Sequence, residues 1–442
     1  MSNPFLPKWE YIPDGEPHVF GDRIYIYGSH DLPASDHFCD CRLKVWSASI
    51  HDPSHWICHG NIFRTDADSH AVDSSIPANS LLYAPDVIKK GDKYYLYLYI
   101  HKAKGCVAVA NQPEGPFSIL SHYQYTLPDA CCDQGQFIDP GILVDDDGKV
   151  YIYCGFTRSY MAQLNPDNMY EILDNTYKEN ILPPLDASED AGFFEACSPR
   201  KIGDLYYLIY SPKKGSRLAY ATSSSPNGPF AYRGYIIDNS DHYPAGNNHG
   251  SLCKIKDQWY IFYHRMTNNT LTSRRSCVER IHILPDGSIP LVPMTSLGFE
   301  ESLNPYDITD AEIACYLTGG CYITELDLFR RIITNITDGC VIGYRYFDFG
   351  HDNTSGEMTF HAKIRSCGSQ CELNILLDDP VQGIQIGQCH IKHDSVHISC
   401  RSKKASGVHA VFFVIKQNIS PEQSYFFQGR TLFDLEQFVF VR

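Results

Sequence analysis

Gly21-Asp22-Arg23-Ile24-Tyr25-Ile26-Tyr27-Gly28 is a Gly/Asp turn followed by an aromatic, β-branched run, a pattern that predicts a strand entered from a tight hairpin. Relatives of the phrase recur at Gly91 to Tyr97, Asp147 to Tyr153, Gly203 to Ile209 and Lys256 to Phe262. Aligned on Tyr25, Tyr95, Tyr151, Tyr207 and Tyr260, they are spaced by 70, 56, 56 and 53 residues. Strand-rich repeats of this length are the mark of propeller blades, and five copies predict five blades. A second phrase runs in phase with the first: Pro113-Glu114-Gly115-Pro116-Phe117 closes one repeat and Pro226-Asn227-Gly228-Pro229-Phe230 another.

An ionisable residue precedes each copy. Asp14 lies 11 residues before Tyr25, Asp86 9 before Tyr95, Asp139 12 before Tyr151, Glu195 12 before Tyr207 and His249 11 before Tyr260. If these segments are the innermost strands, ring symmetry gathers five such groups around one axis. One Asp-Pro or Pro-Asp pair alone would be only a turn. A ring of acids is different, because clustered carboxylates repel and raise one another's pKa, a cost that points to chemistry. Glu195 follows Phe193 and Phe194, whose apolar surroundings would keep its carboxyl protonated near neutrality. Arg265, closing the run Phe262-Tyr263-His264-Arg265, is expected beside the acids, as a substrate contact with Tyr83, Asp86 and Phe194. The turn Asp145-Asp146-Asp147-Gly148 lacks the alternating ligands and closing Glu of a calcium loop and reads as a hairpin. The long first step carries Asp31, Asp36, His37 and His70, expected on a loop at a pocket rim.

The 442 residues suit one large and one small domain, and the net charge of −15 argues against nucleic acid or an anionic membrane as partner. Met1 to Glu10 has no basic stretch followed by an apolar core, and no run is long enough to span a bilayer, so a cytoplasmic protein is expected. The 17 cysteines, among them Cys154, Cys197, Cys253, Cys400 and the adjacent Cys131-Cys132, include no C-x-x-C unit and are expected as buried free thiols. The 30 tyrosines suit sugar-binding faces and strands equally.

After Ile283-Leu284-Pro285-Asp286-Gly287-Ser288-Ile289 the repeat stops, and Asn304-Pro305-Tyr306 marks a boundary. Beyond it, Met358, Phe360, Ala362 and Ile364 alternate with polar residues, as do Leu373, Ile375 and Leu377, then Val411, Phe413 and Ile415, then Phe438 and Phe440. Period-two strands with Gly-rich turns predict a jelly-roll-like β-sandwich. The chain is therefore expected to be all-β, with a five-bladed β-propeller over residues 1–300 and a β-sandwich over 306–442.

Over about its first 300 residues the sequence resembles glycoside hydrolase family 43, the five-bladed propeller glycosidases acting on arabinose- and xylose-containing polymers. The resemblance rests on Pro13-Asp14 before Gly21-Asp22, on Ile138-Asp139-Pro140 before Asp147-Gly148, on Phe194-Glu195 before Gly203-Asp204-Leu205-Tyr206-Tyr207, and on Asn248-His249-Gly250 before Trp259-Tyr260. It implies an inverting hydrolase that removes arabinofuranose or xylose from plant-polysaccharide-derived oligosaccharides. Asp14 would be the general base, Glu195 the general acid and Asp139 the carboxylate that orients and tunes the acid. It implies no required cofactor, and a structural calcium ion or a water at His249 on the axis. Tyr83 falls where many members have a Trp platform, and Asp14 is followed by Gly-Glu-Pro where many have Pro directly. The tail from Ile332 is similar to carbohydrate-binding module family 6, with Thr337-Asp338-Gly339 and Asp379-Pro380 before Gly383 as markers. Two other readings compete. A retaining fructosidase would carry Arg where Ile138 precedes Asp139-Pro140, and a sugar-binding propeller would hydrolyse nothing.

Overall fold

In a computed structural model, residues 1–66, 76–101, 106–122, 138–351, 356–368, 370–417 and 429–442 are described; His70 and Cys131-Cys132 lie outside them. The five copies of the turn phrase are the hairpins between the first two strands of five antiparallel sheets. Blade one comprises Glu16–Phe20, Arg23–Tyr27, Arg42–Ser49 and Asp52–Arg64, and blade two Leu82–Lys90, Lys93–Ile100, Cys106–Ala110 and Ser118–His122. Gly141–Val144, Val150–Cys154, Tyr160–Leu164 and Lys178–Glu179 form blade three. Phe193–Ile202, Leu205–Pro212, Arg217–Ser223 and Ala231–Asp238 form blade four. Blade five has three strands among the described residues, Ser251–Ile255, Gln258–Met266 and Arg274–Ile281.

The second repeated phrase ties blades together. Phe117 N donates to Ile62 O and Phe230 N to Ile181 O, both at 2.9 Å. In the same relation, the Tyr27 hydroxyl donates to Pro113 O and the Tyr153 hydroxyl to Pro226 O, both at 2.7 Å. The N-terminal segment runs along the outer strand of blade five, with Phe5 N donating to Ser276 O at 3.2 Å and Val278 N to Asn3 Oδ1 at 2.9 Å. Blade five thus leans on residues that precede blade one, which closes the ring by joining its two chain ends.

The tail is a β-roll. Its strands follow the order Tyr316–Thr318, Val341–Asp348, Val408–Lys416, Cys371–Leu377, Ile384–Ile391, His397–Lys403, Glu357–Ser366, Phe433–Val441, Arg331–Ile336, Tyr322–Glu325. Because the two ends of that path are joined through Gly319-Gly320, both at positive φ, the sheet curls nearly shut into the expected sandwich-like barrel. The alternating residues Met358, Phe360, Ala362 and Ile364 point into its core, as period two requires. One expectation is corrected here. Cys400 is not free but forms a cross-strand disulfide with Cys389, while Cys154, Cys197 and Cys253 are buried free thiols.

The propeller and the roll share one core. Leu218, Tyr220, Tyr263 and Cys277 of blades four and five pack in the same apolar cluster as Cys315, Tyr344, Phe360, Phe413 and Phe438. The buried pair Arg275 Nη1–Glu312 Oε2, 2.6 Å, crosses the same boundary. A chain ending at Asn304 would leave this apolar face and the Arg275 guanidinium uncovered, so it is expected to aggregate during size-exclusion chromatography. A monodisperse fragment with the near-ultraviolet circular dichroism of packed tyrosines would contradict the shared core.

Candidate active site

Strand register decides which residues share a level on the axis. Opposite the aligned tyrosines stand His18, Ile88, Leu143, Arg200 and Cys253. Two residues earlier comes the level of Glu16, Asp86, Gly141, Ser198 and Ser251. One level higher, Glu195 pairs with Ser211 and Tyr83 with Tyr99, each four residues past its aligned tyrosine. Asp14, Asp139 and His249 occupy that same upper level in the other blades.

The upper ring is therefore Asp14, Tyr83, Asp139, Glu195 and His249. All five line one cavity of about 360 Å³, with Phe38, Ile138, Phe156, Phe194, Asn247 and Arg274. Asp86 is corrected: it is fully buried one level below and does not line the cavity. Its Oδ1 is hydrogen-bonded to His18 Nε2 at 2.7 Å, and its Oδ2 accepts from Ile142 N at 2.8 Å. A β-bulge between Tyr83 and Asp86 adds a residue to this strand, which is why Tyr83 holds the ring position. The offset of 9 residues, against 11 or 12 elsewhere, puts Asp86 itself on the lower level, as the same offset does Glu16.

Arg265 is the second correction. Strand residues alternate in direction, so while His264 faces the axis, Arg265 points the opposite way into the core. There its Nη2 donates to the Tyr263 hydroxyl at 2.5 Å and to Thr295 O at 2.7 Å, and it pairs with Glu279 at 3.2 Å. The cation that does reach the acids is Arg274, the first residue of the next strand. Its Nη1 donates to Asp14 Oδ1 at 2.8 Å, and its Nε and Nη2 hold Asp31 Oδ2 and Oδ1, each at 2.9 Å. Arg42 and Arg217 likewise open the third strands of blades one and four, but they pair with Asp66 and Asp238 and not with an acid of the cavity.

Asp14 and Asp139 both have positive φ, 57° and 54°. Asp tolerates this left-handed conformation better than most residues, and the bend turns each carboxyl off the strand into the cavity. At Glu195 the turn falls on the next residue, Ala196, at φ 70°, whose N donates to Asp139 Oδ2 at 3.1 Å. Ser29 Oγ donates to Asp14 Oδ2 at 2.7 Å and accepts from Ala84 N at 2.8 Å, fixing the Asp14 rotamer against blade two. Asn247 hydrogen-bonds the Glu195 side chain, and Phe194 packs edge-on against Phe156 with centroids 4.9 Å apart.

Burial opposes ionisation of all three acids, and their neighbours separate them. At Asp14 the burial cost is outweighed chiefly by the Arg274 guanidinium, with the Ser29 hydroxyl donating to the carboxylate, so the carboxyl is held below its usual range. Burial pushes Glu195 up to about 7, and the Asp14 carboxylate adds to the push. Asp139 is driven well above the usual range by burial, then by the Glu195 and Asp14 carboxylates. The cavity therefore holds an ionised carboxylate and protonated ones together near neutral pH, the division of labour that acid–base catalysis needs.

Both histidines are neutral. Burial lowers His249 despite Asp14 beside it, and burial with Arg274 lowers His264 to about 3. His264 Nδ1 accepts from Asp14 N at 3.4 Å and its Nε2 is hydrogen-bonded to Asn247 O at 3.0 Å, so it braces the base. His249 Nδ1 lies 3.9 Å from Asp14 Oδ1 and 3.7 Å from Asp139 Oδ2, so a neutral imidazole adjoins both carboxyls and can ligate an ion. Among the described residues, Glu16, His18 and Asp86 place three potential ligand atoms within 4.8 Å of one another. Arg200 Nη2 already occupies Glu16 Oε2 there at 2.9 Å.

The family model for glycosyl hydrolases family 43 matches residues 3–289. A xylosidase/arabinosidase of Thermoclostridium stercorarium is 35% identical, over 94% of this chain and 96% of that one. Among solved structures, a family 43 arabinoxylan arabinofuranohydrolase from Bacillus subtilis, in complex with cellotetraose, covers the whole chain and 97% of its own, with TM-score 0.54 at 24% identity, a likeness of fold. A family 43 β-xylosidase/α-arabinofuranosidase from a compost metagenome, in complex with xylotriose, has TM-score 0.53 at 27% identity and covers 66% of this chain and 98% of its own.

Replacing Arg274 by Met leaves Asp14 and Asp31 buried without their cation. Urea unfolding is expected to show a loss of about 3–5 kcal/mol, the range for breaking a buried ion pair on one side, and Arg274→Lys a smaller one. An unchanged midpoint for Arg274→Met would mean that the pair is solvated rather than buried.

Proposed function

The chain belongs to glycosyl hydrolases family 43 and is a glycoside hydrolase, and from its site we propose an inverting enzyme that removes arabinofuranose or xylose from xylose-containing oligosaccharides. The observation that carries this reading is the unequal setting of two carboxyls in one cavity, Asp14 bonded to the Arg274 guanidinium and Glu195 beside the Phe194 and Phe156 wall, which holds the first ionised and favours the proton on the second. Asp14 acts as general base on a water and Glu195 as general acid on the leaving oxygen. They stand on blades one and four, with blade five between them. Inversion needs such separated groups, about 6.5–9.5 Å apart, so that water fits on the face opposite the leaving group.

Asp139, hydrogen-bonded to the backbone next to Glu195, orients the acid strand and shares its proton load. Tyr83, Phe38, Ile138, Phe156 and Phe194 wall the cavity with apolar surface, which suits a small uncharged sugar such as a pentose. The fructosidase reading loses support because Ile138, not Arg, lies in this wall. The chemistry needs no metal. A calcium ion at the axis would be held by His249, whose ring is neutral, and would serve structure. The many buried free thiols favour a cytoplasmic site, where short oligosaccharides are the substrates, although the Cys389–Cys400 disulfide is a feature of oxidising compartments.

Glu195→Ala is expected to lower kcat/KM on natural glycosides about 10²–10⁴-fold, the range of general acid catalysis, and to spare a dinitrophenyl glycoside, whose phenol leaves without a proton. Asp14→Ala should harm both, since water must be activated whatever departs. Equal losses for Glu195→Ala on both substrates, in a folded protein, would remove its role as acid.

The pH profile supplies a separate check. Glu195 works protonated, so kcat/KM is expected to fall as pH rises through about 7. Asp14 works ionised and is held low, so the acid limb should lie below the ordinary carboxyl range, and the alkaline limb should vanish for Glu195→Ala on the dinitrophenyl substrate. An alkaline limb that persists in that variant would assign it to another group.

A further inference from the structure

We propose that Trp9, Leu328 and Phe329 form a second sugar-binding platform that holds the xylose-containing chain on the leaving-group side of the cleaved bond; the proposal rests on the activity argued above. Trp9 is 45% exposed, and Leu328 and Phe329 are each 62% exposed. The two rings meet edge to face with centroids 5.7 Å apart at 81°, so each props the other and leaves ring surface open to solvent.

The platform is built jointly by the two domains. Trp9 precedes blade one, and Leu328 and Phe329 sit on the turn between Tyr322–Glu325 and Arg331–Ile336 of the roll. That turn is fixed: Phe329 N donates to Asp327 Oδ1 at 2.9 Å and Leu326 N to Arg330 O at 3.0 Å. Beside it the Arg331 guanidinium donates to Lys8 O and lies 5.3 Å from the Tyr11 ring centroid. A sugar would meet surfaces already in place, with little ordering cost.

It also lies within reach of the catalytic cavity. Trp9 is five residues before Asp14, a span of at most about 18 Å of extended chain, which a short oligosaccharide can bridge. Between them, the Tyr11 hydroxyl contacts Asn268 Nδ2 at 3.2 Å, and Asn268 N donates to Ile323 O at 2.7 Å. Asn268 belongs to the loop linking the strands that carry His264 and Arg274. At the other end of that loop Thr272 Oγ1 donates to Ser35 O at 2.8 Å, on the segment that presents Phe38 to the cavity. Leu271, 50% exposed, stands on the loop between the two.

The surroundings select the chemistry of the occupant. Lys8 pairs with Asp310, Arg330 with Asp327, and Arg331 with Glu325, so the charges around the platform are compensated within the protein. What is left is aromatic and aliphatic surface beside a hydrolytic cavity, a match for a neutral chain of sugar rings rather than a charged ligand. When a terminal pentose is removed, the rest of the chain is the leaving group, so a chain held on this platform lies on the leaving-group side.

The test compares Trp9→Ala, Phe329→Ser and the double variant with the wild type. One substrate is an arabinose-substituted xylohexaose and the other an aryl α-L-arabinofuranoside, which fills only the cavity. We expect KM for the oligosaccharide to rise about tenfold in the double variant, from losing up to two ring contacts, with kinetics on the aryl glycoside unchanged. Binding of the same oligosaccharide to Glu195→Ala, with and without the double change, should weaken by the same factor. Equal KM values on the oligosaccharide would overturn the platform while leaving the hydrolase reading intact, and parallel losses on both substrates would reassign these residues to structure. If neither wild type nor variant hydrolyses any aryl pentoside, the activity reading fails and the platform with it. A wild-type dimer that the double variant dissolves, seen by sedimentation, would make the patch a subunit contact and also overturn the proposal.

Discussion

One buried guanidinium governs the catalytic end of the propeller axis. Arg274 holds Asp31 through two of its nitrogens and Asp14 through the third, so the cation is fixed by one acid in order to control another. Without it, five blades would bring Asp14, Asp139 and Glu195 into one cavity with burial opposing every charge. With it, the charge settles on Asp14 and the protons stay with the other two. The asymmetry that chemistry requires comes from one residue on the third strand of blade five, outside the repeated turn phrase.

Two levels of the axis divide the work. The upper level, bent open by left-handed backbone at Asp14 and Asp139, exposes its side chains to the cavity. The level below keeps regular strand geometry, and its polar groups satisfy one another: His18 with Asp86, and Arg200 with Glu16 and with Ser251 Oγ at 2.5 Å. That buried network links blades one, two, four and five, so it helps set the spacing of the strands that carry the acids. Within this network, among the described residues, Glu16 Oε1 is left without a protein hydrogen-bond partner.

The roll is more than an appendage. Its core runs into blades four and five, and its Tyr322–Glu325 strand grips the loop that leads to Arg274. The rigidity of the catalytic cation therefore has a source in the second domain. The N-terminal segment contributes from the other direction, sealing blade five through Asn3 and Phe5 and presenting Trp9 and Tyr11 to the roll. Function sits where three separate parts of the chain converge.

The repeat of turn and tyrosine determined the five blades, and the alternation of Met358, Phe360, Ala362 and Ile364 determined the roll, because hydrogen-bonded strands enforce a period of two that sequence records directly. The offsets from the tyrosines likewise located Asp14, Asp139, Glu195 and His249, since register carries position along the chain into height on the axis. Asp86 follows the same logic to the lower level, since nine residues before Tyr95 is the height of Glu16 before Tyr25, and the one-residue bulge upstream of it gives the ring place to Tyr83. Arg265 and Arg274 show the other limit. Both lie near the axis in sequence, but which one faces the acids depends on the direction of each side chain from its own strand, and on Asp31, more than two hundred residues away, being there to hold it. Local pattern specifies the strands; partners distant in sequence decide which charges meet.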